Sequence, residues 1–127
     1  MAGSDATTLA PDGPLAGTVF HGAYSWASWF FRFMVRETGI LSAAEAVRRL
    51  TDLPARTLGL SDRGVLKTGA RADLAVFDPT RFGETATTFE PNQLADGMRH
   101  VVVNGAITLA DGQLTGERAG TVIRRAH

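Results

Sequence analysis

The chain contains no cysteine. Disulfides, thiolate metal sites and cysteine nucleophiles are thereby excluded together. It also carries no surplus of charge, because 13 Lys and Arg balance 13 Asp and Glu. A chain without net positive charge lacks the electrostatic footprint of a nucleic-acid or anionic-membrane binder, so neither is an expected partner. Long hydrophobic runs are missing as well. Crossing a bilayer takes about 20 apolar residues, and the most apolar window, Trp26 to Val35, is broken by Arg32. The opening Met1-Ala2-Gly3-Ser4-Asp5 shows neither the basic nor the apolar region of a secretion signal, so a cytoplasmic location is expected. No glycine pattern suited to cradling phosphate occurs, and no internal repeat suggests a solenoid.

What is present is one domain's worth of polypeptide: 127 residues, 44% of them hydrophobic and 20% charged. Residues 5–23 read as a loop, with Pro11, Asp12-Gly13, Pro14, Gly17 and Gly22 and no sustained apolar period. An irregular connection of that length in a compact domain is typically a lid or binding loop, or else disordered. From Ser25 to Thr38 the spacing of Trp26, Trp29, Phe30, Phe33 and Met34 predicts one amphipathic helix, ended by Gly39. Ser42 and Glu45 form a capping-box pattern opening a second helix. Pro54 at a first helical position predicts a short third one, stopped by Gly59.

Beyond Leu60 the texture becomes β. Ala72 to Asp78 reads as a short strand ended by Pro79, and residues 80–98 as a polar surface excursion. His100–Asn104 and Ala106–Ala110 form a hairpin through Asn104-Gly105, which suits the positive φ of a tight turn. Gln113–Thr115 can add an edge strand, and Ala119–Arg125 is a last strand or a fraying end. The predicted fold is α+β: two to three N-terminal helices, then a small antiparallel β-part, with a boundary near residue 60. Two or three strands are too few for an autonomous sheet. Further strands are therefore expected upstream in a longer product or in a second chain.

Catalytic groups are scarce. His21, His100 and His127 stand at no metal-ligand spacing, so no metal ligands are predicted in this chain. His100 reads as a structural or surface residue and His127 as solvated. His21, in the loop beside Tyr24 and Trp26, is read as a non-functional loop residue, with a ligand role as the alternative. Asp5 taken alone is a solvated carboxylate, and Asp12, Asp62 and Asp73 have turn or strand-entry explanations. Composition and spacing yield a soluble α+β domain without a complete active site.

A family resemblance goes further. Leu53-Pro54-Ala55-Arg56-Thr57-Leu58-Gly59-Leu60, then Asp62-Arg63-Gly64-Val65-Leu66-Lys67-Thr68-Gly69-Ala70-Arg71-Ala72-Asp73-Leu74-Ala75-Val76-Phe77-Asp78, and the hairpin Val101-Val102-Val103-Asn104-Gly105 resemble the C-terminal signature of the amidohydrolase superfamily. Ser4-Asp5, His21, Thr88-Phe89-Glu90-Pro91-Asn92-Gln93 and Gly112-Gln113-Leu114-Thr115-Gly116 look like the N-acyl-D-amino-acid deacylases (D-aminoacylases). The resemblance covers nearly the whole chain but only about the last quarter of such an enzyme.

It implies that residues 1–60 hold the end of the last strand of a TIM-like barrel, the active-site loop and C-terminal helices. Residues 61–127 would be the C-terminal half of a small β-domain, a partial β-sandwich. It implies zinc in the intact enzyme, held by barrel histidines absent from this sequence, with no cofactor expected for this chain alone. Asp5 would be the catalytic aspartate, taking a proton from a zinc-activated water and passing it to the leaving nitrogen. His21 would be a substrate-pocket residue, within His21-Gly22-Ala23 where many relatives have His-Pro-Arg. The implied substrate is an N-acyl-D-amino acid and the implied reaction is hydrolysis of its amide bond. This chain is expected to be inactive by itself and to self-associate or pair with the missing barrel portion. The alternative is a freestanding, non-enzymatic oligomerisation or partner-binding module.

Overall fold

A computed structural model describes residues 3, 4, 6, 9, 11–20 and 22–124. Asp5, His21 and His127 lie outside the described residues. Three α-helices precede four strands, an α+β arrangement.

Helix α1, Gly22–Phe31, buries Ser25, Ser28 and Phe31. Small serines on the inner face let the backbone approach its neighbours, and the Ser28 hydroxyl donates to the Ser25 carbonyl at 3.0 Å. The expected single helix to Thr38 is not continuous α-helix: Arg32–Glu37 is π-helical. The wider turn shows in the Thr38 N–H, which donates to the Phe33 carbonyl at 3.0 Å, five residues back. From this widened segment Arg32 reaches the Glu84 carboxylate, and Arg36 donates to the carbonyls of Pro79 and Phe82.

Helix α2, Ala43–Leu50, opens as expected: the Ser42 hydroxyl accepts the Glu45 N–H at 3.2 Å. The reciprocal half of the capping box is replaced, because Arg48 and Arg49 each donate to the Glu45 carboxylate at 2.8 Å. Helix α3, Asp52–Leu58, begins two residues before Pro54. The proline still falls in the first turn, where its missing N–H costs no helical bond. Gly59 ends the helix at φ +75°.

The strands are β1 Leu74–Phe77, β2 Met98–Val103, β3 Ala106–Ala110 and β4 Gln113–Leu114. They form an antiparallel sheet in the order β1-β2-β3-β4. Asn104 and Gly105 turn the central hairpin at φ +48° and +85°. The Asp73 carboxylate accepts the Asn104 N–H at 2.8 Å, and Ala72 accepts the Gly105 N–H at 3.0 Å. The hairpin turn is thus docked on the entry to β1. The expected edge strand forms, while residues 119–124 hold no strand.

Helices and sheet meet in one apolar cluster. Phe31, Leu41, Ala46 and Phe82 are buried, with Phe77 and Met98 packed against them. The rings of Phe31 and Phe77 lie 5.2 Å apart edge-on, and those of Phe77 and Phe82 lie 4.5 Å apart. Residues 80–98 are therefore more than a surface excursion. They fold back through a Gly83–Asp96 bridge and drive Phe82 into the core at 6% exposure.

Candidate functional site

The two residues singled out from the sequence, Asp5 and His21, lie outside the described residues, but their neighbours converge. A Cβ on Gly22 would stand 3.3 Å from the Phe20 ring and 3.9 Å from the Ser4 carbonyl oxygen. The backbone before Asp5 and the backbone after His21 therefore meet at the start of α1. The loop between them is tightened by two turns, with the Ala16 N–H on the Gly13 carbonyl at 3.0 Å and the Thr18 N–H on Leu15 at 2.9 Å.

That loop buries almost nothing; residues 14–20 are all exposed. Among the described residues, two hydrogen-bonded contacts link it to the C-terminal half. The Asn92 side-chain amide donates to the Thr18 carbonyl at 2.8 Å, and Arg118 pairs with Asp12 at 2.8 Å. The Asn92 amide oxygen is buried and has no hydrogen-bond partner among the described residues. His100 sits in β2, opposite Val76 and Ala110.

A second feature is an apolar cleft of about 620 Å³ between the helices and β1, lined by Phe31, Val47, Leu50, Leu66, Leu74 and Val76 among others. Asp73 is its one charged lining residue. That carboxylate is already engaged by the Asn104 N–H and by Arg63. The cleft can receive an apolar segment, but it offers no free acid or base.

The titration behaviour of the carboxylates agrees. Hydrogen bonds from Arg48 and Arg49 hold Glu45 down at about 2, and a bond from Arg32 holds Glu84 below the usual carboxylate range. Bonds from Thr80 lower Asp78, and the Gly97 N–H with Arg81 lowers Asp96. A general acid needs its pKa raised towards neutrality, and these four groups are shifted the other way. Among the described residues, no group of three or more His, Cys, Asp and Glu gathers to hold a metal ion. The donor set for a metal is thus not met by these residues.

Residues 2–109 match the model of the Amidohydrolase family. The chain is 44% identical over 93 residues to an N-acyl-D-aspartate deacylase of Alcaligenes xylosoxydans xylosoxydans, covering 72% of this chain and 18% of that protein. It is 41% identical over 90 residues to a D-aminoacylase of the same organism, covering 71% of this chain and 19% of the relative. Among solved structures it resembles a D-aminoacylase described with a binuclear metal centre. There the TM-score is 0.79 and the identity 34%, over 84% of this chain and 22% of that one. It also resembles an N-acyl-D-glutamate deacylase of Bordetella bronchiseptica bound to zinc and a phosphonate inhibitor. That match has a TM-score of 0.68 and 37% identity, over 75% of this chain and 21% of that one. The chain therefore spans about a fifth of the length of these relatives.

Proposed function

The chain belongs to the amidohydrolase family, and on that footing we propose that it is the C-terminal segment of a metal-dependent deacylase cleaving the amide bond of N-acyl-D-amino acids. In this reading residues 1–60 supply the end of the last barrel strand, the active-site loop and the helices that follow. Residues 61–127 supply part of a β-sandwich whose remaining strands lie elsewhere. The working enzyme is cytoplasmic.

One observation carries the reading. The chain exposes 8544 Å² of surface, against roughly 6500 Å² for a compact monomer of 13.5 kDa. Much of what it exposes is apolar: Leu66 is 86% exposed, Phe89 95% and Ile107 52%. Val76 and Ile107 stand on one side of the sheet by register, since Leu74 pairs Val102 and Val102 pairs Ile107. Strand β1 pairs with β2 on one side only among the described residues, and an outer edge of that kind beside an apolar cleft suits the addition of a further strand or helix. Surface of this kind is what a segment shows when its neighbours are taken away.

Asp5 then carries a proton from the attacking water to the leaving nitrogen, and His21 lines the substrate pocket. The zinc of the intact enzyme is held by residues outside this sequence. The isolated chain is accordingly inactive and prone to self-association or to pairing with the barrel portion. Co-expression with the remaining four-fifths of a D-aminoacylase relative tests this. Deacylase activity that appears only when both parts are present, and is lost in Asp5→Asn, is the expected result. Complete failure of the two parts to associate would overturn it.

A further inference from the structure

The turn Asn104-Gly105 joins β2 to β3 at φ +48° and +85°. It sets an asparagine amide before a glycine nitrogen that no Cβ shields, and that dipeptide carries a self-contained reaction. When the Gly105 nitrogen gives its proton to water or hydroxide and bonds to Asn104 Cγ, the Cγ–Nδ2 bond breaks and ammonia leaves. A succinimide remains, and a water opens it at either carbonyl to aspartate or isoaspartate. The folded chain opposes each step. The Gly105 N–H donates to the Ala72 carbonyl at 3.0 Å, which engages the proton that nitrogen must lose. The leaving Nδ2 donates to the Ala119 carbonyl at 2.6 Å. The Asn104 N–H donates to the Asp73 carboxylate at 2.8 Å, which fixes the turn on the entry to β1. Asn104 Oδ1 is buried with no hydrogen-bond partner among the described residues. Negative charge develops on that oxygen as the nitrogen attacks, and no donor stands there to stabilise it.

We infer that Asn104-Gly105 is a latent deamidation site, silent while the β1 entry and the tail at Ala119 hold the turn and active once they let go. The substrate is the chain itself, with water consumed and ammonia released. The carboxylate left by the aspartate route is an acceptor only, so it cannot restore the bond to the Ala119 carbonyl. The isoaspartate route adds a methylene to the main chain of a tight turn whose register sets Val103 opposite Ala106. The reaction therefore records, one way, the time a chain spends with this hairpin undocked. It does so whether or not the chain serves a deacylase.

Mass spectrometry of the tryptic peptide 100–118 follows the replacement of amide by acid at Asn104, at neutral pH. The 127-residue chain should convert at least about tenfold more slowly folded than in urea, because more than one hydrogen bond must open first. Asp73→Ala, and separately a chain ending at Gly116, should each convert about five-fold faster than the folded parent, the loss of one latch. Asp73→Asn keeps an acceptor for the Asn104 N–H and should stay near the parent. Ser42→Ala lowers stability through the α2 cap and should leave the rate unchanged. Far-ultraviolet dichroism checks that each variant is folded, and either latch variant alone carries the test. Equal rates folded and in urea would overturn the protection, and no acid product in urea would overturn the site itself. Latch variants that convert no faster than Ser42→Ala would show that global unfolding gates the reaction, which overturns the latch.

Discussion

Arg32 and Glu84, 52 residues apart, face each other in a two-pronged ion pair that ties the π-helical segment to the fold-back after β1; the guanidinium Nε lies 2.8 Å from one carboxylate oxygen. Glu84 is only 15% exposed and is held below the usual carboxylate range by that bond. Its folded pKa is lowered, so the stability it contributes is present above the ordinary glutamate value near 4.3 and fades as the pH falls through the lowered one. Glu84→Gln should cost about 1–2 kcal/mol at neutral pH. Urea midpoints for both proteins across pH 7 to 3 should converge at the acid end, and a gap independent of pH would contradict the assignment.

Phe82 should behave as a core residue despite its polar surroundings in sequence. At 6% exposure and in ring contact with Phe31 and Phe77, its truncation to alanine should cost about 3–4 kcal/mol. Because Phe82 joins helices and sheet, Trp26 and Trp29 fluorescence and far-ultraviolet dichroism should both lose stability in step. A loss confined to one probe would show that the two halves unfold separately.

Gly97 should tolerate no side chain. Its φ is +76°, and an added Cβ would lie 2.5 Å from the Phe82 nitrogen and 2.8 Å from the Arg81 carbonyl carbon. Both neighbours are backbone and cannot swing aside. Gly97→Ala should therefore destabilise by several kcal/mol, about 3, read by thermal unfolding. Gly69→Ala is the control: its φ is also positive, but nothing lies within 4 Å, so only the smaller conformational cost should appear.

The α2 cap offers a milder case. Ser42→Ala removes the acceptor of the Glu45 N–H and should cost about 1 kcal/mol. Glu45 itself, held at about 2 by Arg48 and Arg49, should titrate in a carbon-detected experiment well below a free glutamate. Its favourable contribution is present above the ordinary glutamate value and lost only as the pH approaches the folded one. A Glu45 titration near 4.3 would show that the arginines leave it in solution.

The parts of the fold written in local chemistry were readable from the residues. Asn104-Gly105 specifies the hairpin because two successive positive φ angles are needed there. Ser42 and Gly59 mark helix ends by an available acceptor and a left-handed backbone. The π-helical turn at Arg32–Glu37 was not readable, since three- and four-residue apolar steps are compatible with either helix and the choice is fixed by where Arg32 and Arg36 must reach. Phe82 gave no signal, being one aromatic ring in a polar run with no period around it. Asn92 stands in the Thr88–Gln93 run that carries the family resemblance, yet nothing in local spacing announces a partner at Thr18. Asp5 and His21 were picked out by that resemblance and not by their own chemistry, and both lie outside the described residues.

On the proposed function, the residues that hold the metal are encoded outside this sequence. The decisive measurement follows hydrolysis of an N-acetyl-D-amino acid by the purified 127-residue chain in the presence of zinc. No turnover above the uncatalysed background is predicted at any zinc concentration. Sustained hydrolysis that disappears on chelation would contradict it.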